Sequence, residues 1–296
     1  MVLFFYLDNG GVIMFIIRKI WSVLTLPLLL ITILTSPVAK STPDAELVSK
    51  DVFVFEKALL MGQGITTDGE YYYTSGSITA LNLQALAKFT FDDMELVKTA
   101  VNPLPDVCED RGNNHIGGIS CYNGKIYASV EGGDECYACI VVFDCETLKP
   151  TGEVYDLPNE LYDDGIPWLA VDRETGLLYA SKWTDAEYIR VYDINDGMKN
   201  VDNIKLSEKI HRTQGGEFYN GTLYLSNDIE DYETYKRILS VDVKTGKVDV
   251  AAIRDVGGDV EAEGLTFWED EDGAVMHVLD YNKLIGIFVH HYKVDF

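Results

Sequence analysis

The sequence predicts an all-β fold made of five repeated units. From residue 50 onward, short apolar strands alternate with turns of Gly, Asn and Asp, without a convincing amphipathic helix. Five segments of this stretch align with one another, at offsets of 54, 50, 47 and 49 residues. They begin at Gly64, Gly118, Trp168, Gly215 and Gly264. A period of about 50 residues is typical of β-propellers, in which each unit forms one blade.

The first two strands of each unit are predicted to form a hairpin. They are joined at Asp68-Gly69, Asn123-Gly124, Glu174-Thr175-Gly176, Asn220-Gly221 and Asp272-Gly273. Asn, Asp and Gly tolerate the positive φ that tight turns require. The second strand of most units is rich in Tyr.

A third strand follows in each of the first four units and closes on an aspartate. These strands are predicted at Lys88–Asp92, Ile140–Asp144, Ile189–Asp193 and Ile238–Asp242. The aspartates are interpreted as turn residues, since a carboxylate there accepts hydrogen bonds from the local backbone. Fourth strands are predicted at places such as Gly152–Leu157 and Lys247–Ile253.

The repeat count predicts a single five-bladed β-propeller domain over residues 50–296, with four antiparallel strands in each blade. The last unit supplies only three strands, ending with Leu284–Val294, and Val52–Glu56 is predicted to complete its blade as the outermost strand. This closure leaves no open edge between the first and last blades. The alternative, six irregular blades, requires a further repeat between Ala80 and Pro105.

Residues 1–40 differ in composition from the rest of the chain. Arg18 and Lys19 precede the apolar run Ile20–Leu34, and small residues follow at Ser36, Ala39 and Ser41. This order predicts a secretory signal peptide and a secreted or extracytoplasmic protein. The alternative is an uncleaved N-terminal anchor, and a membrane is a partner only in that case.

The chain is acidic and globular by composition. It has 296 residues, 47% of them hydrophobic, and its 48 acidic against 24 basic side chains give a net charge of −24. This charge argues against nucleic acid as a partner and favours cations or polar ligands. A small molecule, a glycan or a peptide is therefore the expected ligand.

All five cysteines fall within one short stretch, at positions 108, 121, 136, 139 and 145. In an exported protein they are expected to form local disulfides or to stay unpaired, with one thiol left over. Cys136-Tyr-Ala-Cys139 has no second CxxC or HxxxH pair to complete a zinc site.

The ligand site is predicted at the rim of the central channel, where the first strands begin and the second strands end. There the units stop resembling each other and carry unlike polar residues. The predicted ligand-binding residues are Gln63, His115, Glu131, Lys182, Trp183, Gln214, Asp228 and Glu263. Trp183 is expected to face the ligand, whereas Trp168 is expected to pack in the core.

The acidic members of this rim suggest a hard cation. Glu131, Asp228, Glu261, Glu263 and Asp280 would supply the oxygen ligands that Ca²⁺ takes, which makes calcium the candidate cofactor. The bland interpretation is that some carboxylates of so acidic a chain fall on any surface. A rim histidine beside carboxylates can also act as acid or base, so His115 is a catalytic candidate.

Two short motifs resemble known propeller families. Met61-Gly-Gln-Gly-Ile65 resembles the opening Gln-Gly-Leu of plant- and bacterial-type glutaminyl cyclases, which are five-bladed. Glu217 lies in a strand where that family carries a glutamate, but Gly117 stands where it has an acidic residue. Glu261-Ala-Glu-Gly-Leu265 is similar to the Glu-Gly-Ile/Leu signature of calcium-dependent propeller hydrolases. These resemblances add Glu217 and Glu263 to the catalytic candidates.

Two functions follow from the sequence. The first is a secreted propeller that binds a small polar, glycan or peptide ligand at its central face. The second is an enzyme that uses the same face, either a calcium-dependent hydrolase or a glutaminyl-cyclase-like protein. The chain contains no GxSxG elbow, phosphate-binding loop or HExxH helix, so binding is favoured.

Overall fold

The described residues form five four-stranded antiparallel sheets, and each sheet is one blade of a propeller. The structure is a computed structural model that describes residues 45–54, 58–91, 93–132, 137–228, 235–257, 260–270, 273–282 and 286–294. These residues belong to one unit, Val38–Phe296. The predicted leader, Asp92 and Cys136 lie outside the described residues. In the described ranges, no helix has the length and apolar character to cross a membrane.

Each blade takes four strands. Blade 1 contains β2 (Ile65–Thr67), β3 (Tyr71–Ile78), β4 (Leu83–Thr90) and β5 (Leu96–Val101). Blade 2 contains β6 (Asn113–Tyr122), β7 (Lys125–Gly132), β8 (Cys139–Asp144) and β9 (Pro150–Asp156). Blade 3 contains β10 (Trp168–Asp172), β11 (Leu177–Ser181), β12 (Ala186–Asp193) and β13 (Lys199–Ile210). Blade 4 contains β14 (Thr213–Tyr219), β15 (Thr222–Asn227), β16 (Tyr235–Asp242) and β17 (Lys247–Asp255). Blade 5 contains β18 (Val260–Asp270), β19 (Gly273–Asn282), β20 (Gly286–Val294) and β1 (Ala45–Val54).

Short helices lie between some of the strands. The α-helices are α1 (Ala58–Met61) and α2 (Asp106–Glu109). Single 3₁₀ turns occur at Thr79–Leu81, Asn159–Leu161 and Ile194–Asp196.

The predicted five-bladed architecture is confirmed. The six-blade alternative is wrong, because the chain between Ala80 and Pro105 supplies β4 and β5 of blade 1. The N-terminal strand β1 pairs with β20 as the outermost strand of blade 5, from Ala45 opposite Val294 to Val54 opposite Gly286. It begins at Ala45, before the predicted domain start at residue 50, and so extends the closing pairing.

The predicted turn chemistry is also observed. Asn220 and Gly221 have φ values of 49° and 74°, as expected for the tight hairpin of blade 4. Asp144, Asp193 and Asp242 each accept a hydrogen bond from a backbone N–H two or three residues later. These aspartates therefore stabilise turns and contribute to the acidic charge without forming a site.

Five apolar clusters fill the five interfaces between neighbouring blades. Between blades 1 and 2, for example, Tyr73 and Leu86 pack against Ile119, Ile126 and Val141. The same arrangement recurs at each of the other four interfaces, including the one between blades 5 and 1. Because alternate residues of a strand point to opposite faces of its sheet, the inner strands of each blade are buried on both faces, as in β3 and β8. The five apolar clusters together therefore form a ring around the axis of the propeller, and the axis itself is lined by other residues.

Glycines narrow the axis where the inner strands pass each other. Gly264 N–H donates to the Gln63 carbonyl of blade 1 at 2.8 Å, and Gly118 N–H donates to the Pro167 carbonyl of blade 3 at 2.9 Å. A Cβ on Gly215 would lie 2.6 Å from Gly264 Cα. We call Gly64, Gly118, Gly215 and Gly264 the glycine ring. It divides the channel into two ends.

Candidate functional site

A cavity of about 260 Å³ lies at the end of the channel where the inner strands begin. Its lining residues are Gln63, His115, Glu131, Asp164, Pro167, Trp183, Gln214 and Glu261. They come from all five blades, because the start of every inner strand faces the axis. We call this cavity the cup.

Glu217 is a buried residue of β14, two positions after Gly215 of the glycine ring, and does not line the cup. Its carboxylate accepts hydrogen bonds from Thr66 at 3.4 Å and Thr266 at 3.3 Å, and Arg173 lies 3.3 Å away. Burial raises the pKa of Glu217, and Arg173 opposes part of that rise. Glu217 therefore ties blades 1, 3, 4 and 5 together at a place separate from the cup.

His115 holds one side of the cup in a chain of hydrogen bonds. Its Nδ1 lies 3.1 Å from Glu131 Oε1, and its Nε2 lies 2.8 Å from Gln63 Oε1. The other end of the Gln63 amide lies 3.5 Å from Glu263 Oε1. Both imidazole nitrogens are thus engaged, and three blades are joined across the cup wall.

Glu263 is the buried end of this chain. Its side chain is 1% exposed, and its Oε2 has no hydrogen-bond partner among the described residues. Burial raises the pKa of Glu263 well above its usual range, and the nearby carboxylates of Glu261, Asp228 and Asp280 add to the rise. The buried position therefore favours the protonated form of Glu263.

Gly165 allows Glu131 to receive a second hydrogen bond. Ile166 N–H donates to Glu131 Oε2, while His115 occupies Oε1. Gly165 has a φ of +100°, and a Cβ there would lie 2.1 Å from Glu131 Oε2. Only glycine combines this backbone conformation with the close approach of the carboxylate.

Trp183 forms the aromatic wall of the cup. The indole is half-buried, and the Arg212 guanidinium lies 5.1 Å from the ring centre. Asp164 fixes the backbone beneath it by accepting from Trp183 N–H at 3.1 Å and Thr184 N–H at 2.7 Å. The predicted contrast between the two indoles holds in burial, because Trp168 is fully buried and donates to Ser181 at 3.0 Å.

Gln214 and Glu261 form the opposite wall. Gln214 Nε2 donates to Glu261 Oε1 at 3.1 Å, which joins blades 4 and 5. The cup thus presents two carboxamides, three carboxylates, one imidazole and one indole. Among the described lining residues there is no Lys or Arg.

Five of the eight predicted ligand-binding residues line the cup, and three do not. Gln63, His115, Glu131, Trp183 and Gln214 line it, together with Glu261 from the predicted metal set. Glu263 contacts Gln63 from its buried position. Lys182 and Asp228 lie elsewhere: Lys182 is 2.9 Å from Asp163, and Asp228 is buried between two cations.

Two of the five carboxylates predicted to bind calcium are paired with basic side chains. Asp228 pairs with Arg212 at 2.6 Å and with Lys236. Asp280 accepts from the Arg254 guanidinium at 2.7 and 3.0 Å and lies 2.6 Å from His290. In the described ranges, no group of three or more His, Cys, Asp or Glu side chains is placed to hold a metal ion. Calcium binding stays a prediction without a preformed ligand set.

Asp280 is engaged by Arg254 and His290. Burial alone would raise the pKa of this carboxyl, but the Arg254 guanidinium and His290 hold it at about 2. The carboxylate is therefore committed to a buried ion pair that joins β17 of blade 4 to β19 of blade 5.

Sequence reasoning missed Asp164. Asp164 lies four residues before Trp168, the first aligned residue of its unit. It was therefore outside the positions that were compared among the five units. The neighbouring Gly165 was the available signal, because a glycine next to an acidic pair before a strand favours an unusual backbone.

A second cavity, of about 360 Å³, lies beside blade 3. Residues 160–209 supply all of its lining, including Lys182, Glu187 and Lys209. It is a groove on one blade and does not receive residues from the channel. The cup is the better candidate because five blades converge on it.

Comparisons with known proteins identify the fold and no closer relationship. No protein-family model matches the chain, and no curated protein matches its sequence. Among solved structures, the tail fibre of Staphylococcus aureus phage P68 is similar at 16% identity and a TM-score of 0.52, over 84% of this chain. An exo-β-1,3-galactanase from Clostridium thermocellum is similar at 12% identity and a TM-score of 0.52, also over 84% of this chain.

The chain spans about half of the tail-fibre chain (52%) and 62% of the galactanase chain. At these identities the likeness concerns the fold alone. It gives no support to the resemblance to glutaminyl cyclases, and Gln63 lines the cup whereas Glu217 does not. The fold and the site together define a five-bladed β-propeller with a polar cup lined by residues of all five blades.

Proposed function

We propose that this protein binds a small saccharide in the cup. The observation that carries the proposal is the convergence of polar side chains from all five blades around one half-buried indole. Sites for small ligands are concave and combine an apolar wall with a few placed polar groups. The cup has both.

The chemistry of the lining favours a sugar. A pyranose presents hydroxyl groups around its edge and C–H groups on its faces. The amides of Gln63 and Gln214 both donate and accept, the carboxylate of Glu261 accepts, and the Trp183 indole offers a flat face for the C–H groups. A cup of about 260 Å³ has room for one sugar ring with a few waters.

The charge of the cup argues against other small ligands. Glu131 and Asp164 already accept hydrogen bonds from His115 or from backbone N–H groups, which partly compensates their charge. An anionic ligand would meet three carboxylates without a Lys or Arg in the described lining. A cationic amine offers no acceptor to the second N–H of the Gln63 and Gln214 amides, whose first N–H faces a glutamate.

The test is a binding screen on the full chain. Thermal shift with glucose, galactose, mannose, N-acetylglucosamine, glucuronic acid and spermidine is followed by calorimetry on any ligand that stabilises the protein. We expect a neutral sugar to bind and Glu261→Gln to weaken it by about tenfold, the loss of one hydrogen bond to a charged group. Binding of spermidine alone would overturn the saccharide proposal.

Glu187→Gln is the matched control because Glu187 lines the groove on blade 3. It removes the same charge as Glu261→Gln at a different cavity. Sugar affinity should be unchanged in this variant. If Glu187→Gln weakens binding and Glu261→Gln does not, the ligand occupies the groove and the cup assignment fails.

A second candidate function is acid–base hydrolysis by His115. The observation that favours it is the contact of His115 Nδ1 with Glu131 at 3.1 Å, which orients the imidazole as a carboxylate orients a general base. Gln63 occupies Nε2 at 2.8 Å and would have to move first, so binding is favoured. Hydrolysis of nitrophenyl glycosides that is lost in His115→Gln would support this second function. Absence of hydrolysis by the unaltered protein at every pH tested would rule it out.

We also propose that the protein is exported and that it binds calcium, and each of these proposals has its own test. The leader pattern of residues 1–40 supports export, which N-terminal sequencing of the mature protein tests. Titration of CaCl₂ into the mature protein tests calcium: absence of heat and of a melting-temperature shift removes it.

A further inference from the structure

Four cysteines of blade 2 are arranged as two pairs. Cys108 Sγ of α2 lies 4.0 Å from Cys139 Sγ of β8, and Cys121 Sγ of β6 lies 3.7 Å from Cys145 Sγ, directly after β8. All four are buried thiols in the apolar cluster between blades 1 and 2. Each sulfur therefore has one neighbouring sulfur in contact.

Other roles for these thiols fit the structure less well. No described group of His, Cys, Asp or Glu is placed to hold a metal ion, so the four do not form a thiolate site. An enzyme nucleophile needs to be accessible, and these side chains are at most 6% exposed. Separations of 3.7 and 4.0 Å are close enough for a sulfur–sulfur bond after a small side-chain rotation.

We propose that Cys108–Cys139 and Cys121–Cys145 form two disulfides when the chain folds in an oxidising compartment. The sequence allowed local bridges without giving their connectivity, and the two contacts supply it. Cys136 is the residue left over. The proposal stands apart from ligand binding, since it concerns the interior of blade 2.

The oxidation requires an external disulfide such as oxidised glutathione. One thiolate of a pair attacks it and forms a mixed disulfide, releasing one glutathione thiolate. The second thiolate of the pair then displaces the other glutathione. In total two thiols lose two protons and two electrons, and the glutathione disulfide is reduced to two thiols.

Because all four sulfurs are buried in the folded protein, exchange must occur before blade 2 closes or after it opens.

The two bridges would fix both ends of blade 2. Cys108–Cys139 would fasten α2 to β8, and α2 leads directly into β6, the strand that carries His115. Cys121–Cys145 would fasten the other end of β6 to the chain that follows β8. Closed loops of this kind stabilise a protein chiefly by restricting its unfolded state.

The experiment is disulfide mapping of the full chain refolded with reduced and oxidised glutathione. Free thiols are alkylated, and the non-reduced digest is analysed by mass spectrometry. We expect linked peptides for Cys108–Cys139 and Cys121–Cys145 and alkylation only at Cys136. Reduction should lower the melting temperature by at least about 5 °C.

Cys136→Ser is the matched control and should keep both links and the melting temperature. Cys108→Ser should lose the first link and keep the second. Alkylation of all four buried cysteines, or a bridge that includes Cys136, would overturn the proposal. If refolding yields no soluble protein, the same map is made on protein secreted into a bacterial periplasm.

Discussion

Glu263 should make the protein less stable as the pH rises, and Glu263→Gln should remove this effect. The side chain is 1% exposed, and its Oε2 has no partner among the described residues. Burial, with the charges of Glu261, Asp228 and Asp280, raises its pKa well above the usual range. The glutamine variant keeps the shape and the contact with Gln63 but has no proton to lose.

The magnitude follows from proton linkage. Above the ordinary glutamate pKa of about 4.3, the unfolded chain loses its proton from this residue while the folded chain keeps it. The folded state therefore binds one more proton, and the free energy of unfolding falls by about 1.4 kcal/mol for each pH unit, up to the raised pKa of Glu263.

Urea unfolding of both proteins at pH 5, 6 and 7 measures this difference. The stability gained by Glu263→Gln should grow by about 1.4 kcal/mol for each pH unit below the raised pKa of Glu263, while other titrating groups cancel between the two proteins. A gain that is the same at all three pH values would refute the buried, neutral state of Glu263.

Glu217→Gln is the matched comparison, since Glu217 is also a buried glutamate. Its Oε2 faces Thr66, Thr266 and Arg173, while its Oε1 accepts from Phe218 N–H at 3.1 Å. Both oxygens therefore face donors, and the NH₂ group of a glutamine must face one of these two sets. This variant should therefore lose stability at pH 7, by about 2 kcal/mol, where Glu263→Gln gains it. Equal effects of the two substitutions would contradict the assignment of opposite roles.

Three further predictions concern the ring of blades. Gly264→Ala should lower the free energy of unfolding by at least about 2 kcal/mol, because its Cβ would lie 2.7 Å from a backbone nitrogen of blade 1. Gly124→Ala has open space around it and should lower that free energy by only about 1 kcal/mol, because of its positive φ. Asp280→Asn should cost at least about 2 kcal/mol at pH 7, because it leaves Arg254 buried without its counter-charge. Burial lowers the pKa of His277 to about 3, so stability should fall by about 1.4 kcal/mol per pH unit as the pH drops below 6.5, and His277→Gln should reduce that fall.

Each of these is measured by chemical unfolding, and each has a contrary result. Equal costs for the two glycine substitutions would mean that the glycine ring is not tightly packed. Unchanged stability of Asp280→Asn would contradict the buried ion pair. An identical acid response of His277→Gln and the unaltered protein would show that His277 is already protonated in the folded state.

The fold could be predicted because each of its determinants is local or repeated. The pair Asn220-Gly221 adopts the positive φ values that its residue types predict, and the other hairpins follow the same chemistry. The repeat then fixes the number of blades, and the unpaired strand before the first unit can only complete the last one. Even so, β1 starts at Ala45, since the repeat gives no information about a strand that occurs once.

The candidate site could be predicted in part, for a geometrical reason. Gln63, His115 and Gln214 stand at the starts of inner strands, and every such start meets the axis. Asp228 and Asp280 stand at the ends of second strands, where their cationic partners come from β16 and β17. The positions of these partners depend on the pairing register of the strands and on the neighbouring blade. The sequence of a single repeat contains neither kind of information.

The cup itself is tested most directly by calorimetric titration of the best sugar from the screen into three proteins. These are the unaltered chain, Trp183→Ala and Trp268→Ala; Trp268 packs on Phe91, outside the cup lining. We predict that the sugar binds the unaltered chain and Trp268→Ala alike and binds Trp183→Ala at least about tenfold more weakly. Equal affinity for all three proteins, or binding of no sugar by the unaltered chain, would contradict the assignment of the cup as a saccharide site.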